Sequence, residues 1–467
     1  MKTGAELSAR KLNEALNLGK KRVLIQALGC RTNIAEGEAL MSEFKRHGAV
    51  IVPSSPFDVA VVVTCSITSV ADRKSRQIIN RLRRECPNAC LVACGCWAQD
   101  ASVDGAQKMG VDLLVGNRLK WKIPFLVSEW LYEKSLNSGF RSNGESPLNE
   151  NFSLTPAKSV SVFRGKIGRE WDALELDSSP YFGRAFIKVQ DGCSHGCTYC
   201  IVPQKRGPSV SRPIKSVIEE ASRCVHSGQF EIILTGVHLG LYGRDTGESL
   251  AELVNALGRV DGVKRLRFGS LEPFSIGDDL LEALAQSKIF CHHLHLPVQS
   301  GDDEILRLMG RGHSAQDFLD LVLRLRAALG EDLHVSTDIM CAFPTESEKA
   351  FQNTLDLLNA ARIGRVHGFR YSPRPGTPAS VMKGGISHEV AQDRINRLCA
   401  AANYCLEREA KRWVGRDVEV LFEGTLRGHP QGYTPEYIEF HPLGENIYNS
   451  LKFVNVHYQK SGILFGI

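Results

Sequence analysis

Short apolar stretches in the first hundred residues are each followed by a cysteine, and the first two then lead into helical periodicity. The stretches and their cysteines are residues 22–28 with Cys30, residues 59–64 with Cys65, and residues 90–93 with Cys96. Strands alternating with helices predict an α/β domain with a parallel sheet, and parallel strands end along one sheet edge. The pattern therefore places the three cysteines at the same edge.

A second series of apolar runs alternates with amphipathic helices from about residue 181 to residue 405. The runs are residues 185–189, 231–235, 266–270, 291–296, 334–340 and 364–371. This alternation predicts a partial (β/α)6 barrel, whose functional groups would lie at the carboxyl ends of the strands.

The rest of the chain has a different pattern. Residues 135–179 are rich in Ser, Asn, Gly and Pro, which predicts a linker or an excursion between domains. Beyond Gly415, short alternating runs separated by turn residues predict a small all-β module. The predicted domains are an α/β domain over 21–134, the linker over 135–179, the partial barrel over 180–410 and the β module over 411–467.

The composition of the chain indicates where the protein is located and what its cysteines do. The 467 residues suit about three domains of about 150 residues each. Neither a signal peptide nor a run of about 18 apolar residues is found, so a soluble, cytoplasmic protein without membrane contact is expected. In that compartment the 14 cysteines are expected to bind metal or to react rather than to form disulfides. The net charge of +5 is only a mild bias toward nucleic acid.

The densest cysteine motif is Cys193-x3-Cys197-x2-Cys200, directly after an apolar run and the turn at Asp191 and Gly192. Three thiolates on one loop can bind three irons of a [4Fe-4S] cluster and leave the fourth iron open. A closed zinc site usually takes four ligands in pairs, and no second pair lies nearby. The motif therefore favours an iron–sulfur cluster over zinc.

The dispersed cysteines are ambiguous on their residues alone. Spacings of 35 and 31 residues fit no metal motif, and ordinary buried cysteines are the favoured interpretation of such a triplet. Cys94 also competes with Cys96, because residues 90, 94 and 96 would share one face of a continuing strand.

The chain resembles a known family in several motifs. The loop motif, with Tyr199 before its last cysteine, resembles the radical S-adenosylmethionine (radical SAM) superfamily. The amino-terminal cysteine motifs resemble those of the methylthiotransferases, and further motifs at later strand ends extend the resemblance over almost the whole chain. These motifs are LGCRTN at 28–33, VTCSIT at 63–68 with ADRKSR at 71–76, GCWAQ at 95–99, LTGV at 234–237, GSLEP at 269–273, LPVQSG at 296–301 and YSPRPGT at 371–377.

The resemblance implies two [4Fe-4S] clusters and S-adenosyl-L-methionine as cofactors. The implied metal ligands are Cys30, Cys65, Cys96, Cys193, Cys197 and Cys200, of which Cys65 and the three loop cysteines are also implied to be catalytic. The implied cofactor-binding residues are Tyr199, Thr235, Gly236, Glu272, Gln299, Ser300, Asp338 and Tyr371. One departure is that Ala342 and Thr345 stand where the family usually has glycine in the sequence GFPGET.

The resemblance also implies a substrate. The motifs at Cys30 and Cys65 are most similar to the branch that modifies N6-threonylcarbamoyladenosine, which implies methylthiolation of C2 at position 37 in the tRNA anticodon loop. An electron donor such as a flavodoxin or ferredoxin is a further implied partner. The tail, with Gly415, Gly432, Tyr433 and Tyr437, resembles the RNA-binding TRAM module, and the basic helix over 73–84 suits either phosphate contacts or a solvated surface.

Other interpretations stay open at this stage. The family alternatives are isopentenyladenosine in tRNA and an aspartate of a ribosomal protein. A radical SAM enzyme that does not insert sulfur, and a zinc-containing RNA-binding protein without catalysis, are the alternatives from other classes.

Overall fold

The computed structural model describes residues 18–137, 160–165, 167–180, 183–426, 429–444, 447 and 449–467. The chain divides into two compact units. The first contains the residues up to Asp177 together with Val202–Pro208, and the second contains Ser178–Ile201 and Ser209–Ile467.

The first unit is built on a six-stranded parallel sheet in the order β2-β1-β3-β4-β5-β6. Its central strands are buried on both faces, as parallel strands covered by helices are. Its strands are β1 (Arg22–Ala27), β2 (Val50–Ile51), β3 (Val59–Thr64), β4 (Cys90–Gly95), β5 (Leu113–Val115) and β6 (Ser161–Phe163). Its α-helices are α1 (Arg31–Arg46), α2 (Ser69–Glu85), α3 (Val103–Lys108), α4 (Ile123–Asn137) and α5 (Val202–Arg206).

Strand β6 lies inside the stretch that the composition marks as a linker or excursion. It pairs in parallel with β5, so Ser161–Phe163 forms the edge of the first sheet. Asp172 is also fully buried in this unit. A three-residue strand is too short to show periodicity, which is why the pattern misses it. Residues 138–159 of that stretch lie outside the described residues, and the predicted domain boundaries stay a prediction.

The second unit contains the six predicted parallel strands, alternating with helices. Strands β7-β10-β11 and β12-β13-β14 form two three-stranded sheets, which a parallel bridge between Leu266 and Phe290 joins. The predicted α/β class with a partial barrel is confirmed. The parallel strands are β7 (Arg184–Lys188), β10 (Glu231–Thr235), β11 (Arg265–Phe268), β12 (His293–His295), β13 (His334–Cys341) and β14 (Arg365–Arg370), and β8 (Gln190–Asp191) and β9 (Val210–Ser211) form a small antiparallel pair.

The α-helices of this unit follow its strands in alternation. They are α6 (Ile214–His226), α7 (Leu250–Leu257), α8 (Asp278–Gln286), α9 (Asp303–Leu308), α10 (Ala315–Leu329), α11 (Glu348–Ala360) and α12 (His388–Lys411).

The carboxy-terminal residues of the second unit form a closed five-stranded barrel in the order β15-β16-β17-β19-β18. The strands are β15 (Asp417–Leu426), β16 (His429–Tyr433), β17 (Glu439–Pro442), β18 (Ser450–Lys460) and β19 (Ile463–Gly466). Strand β16 is absent from the sequence prediction because its residues, HPQGY, include Pro and Gly, which mark turns rather than strands. Gly432 is required there, since a Cβ would lie 2.4 Å from a methyl carbon of Val420.

A buried charge cluster joins this small barrel to the amino ends of the parallel strands. Glu231 at the start of β10 pairs with Arg184 and Arg267 at 3.2 and 3.1 Å. Burial raises the pKa of Glu231, but the arginines outweigh it and lower the pKa to about 2. Arg267 donates to the carbonyl of Pro435 (2.9 Å) and lies 4.7 Å from the ring centre of Tyr437. The small barrel therefore packs against the strand ends opposite the cysteine loop.

The two residues that replace family glycines both adopt left-handed backbone conformations. The φ angles of Ala342 and Thr345 are 59° and 69°, in the turn after β13. The Thr345 amide donates to the carbonyl of Gly384 at 2.8 Å, which fixes the turn. A side chain in this region costs about 1–2 kcal/mol relative to glycine. Both positions therefore have the backbone conformation that suits glycine, as the resemblance leads us to expect.

Replacing either residue with glycine is expected to stabilise the protein. Relief of the left-handed strain outweighs the added entropy of the unfolded chain. Ala342→Gly and Thr345→Gly should therefore each raise the free energy of unfolding by about 0.5–1 kcal/mol. Ala400→Gly is the matched control: it lies exposed inside α12 and should cost about 1 kcal/mol. Thermal unfolding of the full chains measures whether each variant is more or less stable than the wild type. A lower melting temperature for Ala342→Gly would contradict the argument.

Candidate functional site

The loop with Cys193, Cys197 and Cys200 follows β7 and β8 at the carboxyl end of the barrel strands. Gln190 holds its start: the side-chain amide donates to the carbonyl of Gly192 at 2.7 Å. Thr198 holds its end, because its backbone amide donates to the carbonyl of Met309 at 2.9 Å. The loop is therefore fixed by neighbouring barrel segments before any ligand binds.

The turn at Gly310 and Arg311 closes over this loop. Gly310 has φ of 71°, and a Cβ there would lie 2.9 Å from the carbonyl oxygen of Gly196. Arg311 is buried, and its guanidinium lies 3.6 Å from the sulfur of Cys197 while it also bonds to Glu272. Arg311 is not among the residues predicted from the sequence. The only feature of the sequence that could have indicated it is its position between Gly310 and Gly312.

The donor set of the loop fits a metal cluster with one open corner. All three cysteines are half-buried, and burial raises the pKa of Cys193 to about 11. The free thiol of Cys193 therefore keeps its proton at neutral pH, and a bound cation must displace it. Among the described residues no three ligating side chains converge on a single ion. Thiolates that bind three different irons of a cluster need not converge in that way.

Two of the predicted cofactor contacts form an apolar wall near the loop. Tyr199 and Tyr371 pack against one cluster of buried side chains that includes Met309 and Phe343. The rings of Phe343 and Tyr371 lie 5.3 Å apart in an edge arrangement. Burial raises the pKa of Tyr199 and of Tyr371, so both hydroxyls stay neutral at physiological pH.

Three other predicted contacts lie on neighbouring strand ends. Thr235 is the last residue of β10, and Gly236 follows it. A Cβ on Gly236 would lie only 2.9 Å from the side-chain oxygen of Gln190, so this position has no room for a side chain. Glu272 follows β11 and pairs with Arg311.

The remaining three predicted contacts lie on or beside β13. Asp338 pairs with His295 at 3.2 Å, and Gln299 bonds through its backbone amide to the carbonyl of Asp338 at 2.9 Å. Ser300 is different, because its buried hydroxyl accepts from the amide of Asp302 at 3.2 Å and contacts Thr354. Its side chain is used within the fold rather than presented at the strand ends.

The dispersed cysteines follow neighbouring strands of the first unit. Cys30 caps the amino end of α1 after β1, Cys65 follows β3 and Cys96 follows β4. Cys30 is exposed, and the other two are buried. The pKa of Cys65 is raised to about 12, mainly by burial and to a smaller extent by Cys96 and Cys30. The three cysteines thus follow adjacent parallel strands at one edge of the sheet, as the strand-end argument requires.

Cys94 is separated from this group by a backbone turn. Gly95 has φ of 95°, and a Cβ would lie 2.6 Å from the carbonyl oxygen of Thr64, so the strand ends there. Cys94 packs in the apolar core with Cys90 and Val61. Cys96 lies beyond the turn, where its amide donates to the carbonyl of Thr64 at 3.1 Å.

The basic helix α2 is only partly available for phosphate contacts. Arg83 is committed to the fold, since it donates to the carbonyls of Gly110 and Ala89 and pairs with Asp112. The guanidinium of Arg83 is thus used within the fold, and the two interpretations of this helix stay open for its exposed residues. The exposed basic residues of the helix are Arg73, Lys74, Arg76, Arg81 and Arg84.

Comparison with known proteins decides the family. Residues 187–358 match the radical SAM superfamily, and residues 22–116 match uncharacterized protein family UPF0004. The threonylcarbamoyladenosine tRNA methylthiotransferase MtaB of Thermotoga maritima is 33% identical, over 91% of this chain and 92% of that protein. The MtaB of Bacillus subtilis is 32% identical over 89% of each chain. This chain belongs to the radical SAM methylthiotransferases.

A second group of relatives of this methylthiotransferase has another name. The tRNA-2-methylthio-N(6)-dimethylallyladenosine synthase of Methylacidiphilum infernorum is 33% identical, over 86% of this chain and 84% of that protein. Overall identity therefore does not separate the two groups.

The methylthiotransferase also resembles solved structures in fold. The radical S-adenosylmethionine methyltransferase TsrM of Kitasatospora setae aligns with a TM-score of 0.54 and 14% identity, over 78% of this chain and 74% of that one. Family membership makes the chain an enzyme that uses an iron–sulfur cluster and S-adenosyl-L-methionine. None of the helices in the described part of the chain is long and apolar enough to cross a membrane.

The adjacent Cys94 and Cys96 give a matched test of the amino-terminal site. If each cysteine triplet binds one [4Fe-4S] cluster, Cys96→Ala should reduce the iron content of the methylthiotransferase from about eight to about four atoms per chain, because the amino-terminal cluster would lose a ligand. Cys94→Ala should keep all the iron, since that thiol packs in the core. Iron and sulfide analysis of anaerobically reconstituted protein measures both. Loss of iron in Cys94→Ala alone would contradict the assignment.

Proposed function

We propose that this enzyme transfers a methylthio group to C2 of N6-threonylcarbamoyladenosine at position 37 of tRNA, with two [4Fe-4S] clusters. The observation that carries the proposal is the presence of two cysteine triplets, each gathered at the carboxyl ends of parallel strands. One triplet would suffice for radical chemistry alone. A second triplet is what sulfur insertion would require.

The barrel residues would bind and shield the reacting groups. Cys193, Cys197 and Cys200 would hold one cluster, and Arg311 would place a positive charge beside Cys197. Tyr199 and Tyr371 would provide an apolar, water-excluding wall. When bound, this cluster with S-adenosyl-L-methionine supplies a radical that can remove hydrogen from an aromatic carbon, and the second cluster supplies sulfur.

The amino-terminal residues would hold the second cluster. Cys65 and Cys96 are buried, and Cys30 lies at the surface, directly before the first residue of α1. This arrangement would protect two ligands from solvent while the side near Cys30 stays accessible. An open corner there suits the approach of a large substrate.

The threonylcarbamoyl substrate has narrower support than methylthiolation itself. It rests on the names of the Thermotoga maritima and Bacillus subtilis relatives and on the motifs at Cys30 and Cys65. Relatives named for dimethylallyladenosine are equally similar, so that nucleoside is the main competitor.

Contacts with tRNA would use the exposed basic residues of α2 and the small β-barrel. Tyr433 and Tyr437 stack on each other with 5.0 Å between ring centres, and Tyr437 also stacks on His293. These rings are therefore used in packing against the parallel strands. Phe453 on β18 is 76% exposed and offers a free ring face for a base. An electron donor of the flavodoxin or ferredoxin type and a cytoplasmic location complete the proposal.

The substrate is tested by mass spectrometry of tRNA nucleosides from cells that lack the protein. The 2-methylthio derivative of N6-threonylcarbamoyladenosine should disappear, and its unthiolated precursor should accumulate. A plasmid with the wild-type chain should restore it, whereas a Cys197→Ala chain should not. Loss of the dimethylallyl derivative instead would overturn the substrate and keep the reaction class.

The separate roles of the two triplets are tested with single variants in vitro. Cys197→Ala should abolish production of 5'-deoxyadenosine, because the barrel cluster loses a ligand. Cys65→Ala should keep that cleavage and lose thiolation. Cys399→Ala, an exposed cysteine on α12, is the control and should keep both activities. Thiolation by a Cys65→Ala chain would contradict the two-cluster mechanism.

A further inference from the structure

Arg206 is a buried cation within the first unit, although in sequence it follows the loop cysteines. It ends the short helix α5 and is 2% exposed. Its guanidinium donates to both carboxylate oxygens of Glu36 at 2.9 and 3.2 Å, and to the side-chain oxygen of Asn33 at 2.5 Å. A buried arginine with this many charge-assisted bonds has a fixed position.

The partner Asn33 ties together the turns of two cysteines. Its side-chain amide donates to the carbonyl of Leu28 at 2.6 Å and to the carbonyl of Thr64 at 3.0 Å. Leu28 lies two residues before Cys30, and Thr64 directly precedes Cys65. By fixing the orientation of this amide, Arg206 sets the relative position of both turns.

The charge of Arg206 also lies close to a cysteine sulfur. Asn33 accepts from its guanidinium and donates to the carbonyl of Thr64, the residue directly before Cys65. A Cβ on Gly29 would lie 2.6 Å from the sulfur of Cys65 and 3.7 Å from the side-chain nitrogen of Asn33, so these two groups flank the same turn. One side chain therefore separates the guanidinium from the sulfur side of the site.

The other charged groups of this network balance one another. Lys120 is fully buried and lies 3.3 Å from Glu36 and 3.2 Å from Asp172. Two carboxylates thus meet two cations, Lys120 and Arg206. The sulfurs of a bound cluster would add negative charge to a network that is already neutral, and Arg206 is bonded to Asn33, which holds the turn before Cys65.

We propose that Arg206 is a positioning residue for the amino-terminal cluster: it fixes the turns of Cys30 and Cys65 through Asn33 and raises the reduction potential of the cluster by its charge. This inference rests on the proposed second cluster. The physical reason is that a reduced cluster has one more negative charge, which a nearby buried cation stabilises. Because the group is buried, bulk salt screens this effect only weakly.

The experiment uses the full chain with Cys193, Cys197 and Cys200 changed to alanine, so that only the amino-terminal cluster is assembled. In this background Arg206→Gln should shift the midpoint potential to more negative values and change the electron paramagnetic resonance spectrum of the reduced cluster. Arg206→Lys keeps the charge without the planar guanidinium, so its midpoint potential should stay close to that of the parent chain. Arg46→Gln is the matched control, since Arg46 pairs with a carboxylate of the same helix α1, Glu43, and should change neither signal.

A second variant separates this role from a purely structural one. Arg206→Gln leaves Glu36 buried with one cation fewer, which can destabilise the unit. Glu36→Gln combined with Arg206→Gln removes both charges and should restore the melting temperature, whereas the spectrum should stay changed because Asn33 still lacks the guanidinium that orients it. Recovery of the parent spectrum in the double variant would overturn the positioning role.

The remaining outcomes are also decisive. An unchanged potential and spectrum in folded Arg206→Gln would overturn the role of Arg206 and leave the proposed function intact. No iron in the parent chain that lacks the three loop cysteines would overturn the second cluster and the inference with it. A negative shift in Arg206→Gln that Arg206→Lys reverses would support the inference.

Discussion

The chemistry of this enzyme depends on one geometric constraint: parallel strands deliver their carboxyl ends to the same edge of a sheet. Cys30, Cys65 and Cys96 are far apart in sequence, yet they follow the adjacent strands β1, β3 and β4. The same constraint in the partial barrel brings Thr235, Glu272 and the cysteine loop to one end. Without it, no local motif would gather these groups.

Close backbone approach is the second requirement at each site. Gly29, Gly95 and Gly310 all have positive φ, and a Cβ on each would lie within 3 Å of a neighbouring sulfur or carbonyl oxygen. These glycines let the turns beside the cysteines approach their neighbours closely. Ala342 and Thr345 accept the same backbone conformation with a side chain, which shows that the left-handed turn itself is kept when the glycine is not.

The two cysteine sites differ in what the surrounding protein supplies. The loop cysteines lie beside the buried Arg311, which pairs with Glu272, whereas the dispersed cysteines lie beside a neutral network of Arg206, Lys120 and two carboxylates. At the opposite end of the barrel strands, the arginines around Glu231 hold the small β-barrel and occupy its tyrosines. At each of these three places the buried charged residues have partners of opposite charge.

The sequence by itself determined the α/β class, the six barrel strands and the loop motif, because hydrophobic periodicity and short-range spacing are local properties. It also put three cysteines at strand ends, but could not choose between Cys94 and Cys96. Only the tertiary structure separates the two, because the turn at Gly95 leaves Cys94 in the apolar core, which supports the proposal of Cys96, and only it revealed β6, Arg311 and Arg206. Those features depend on contacts between segments distant in sequence, which no local pattern encodes.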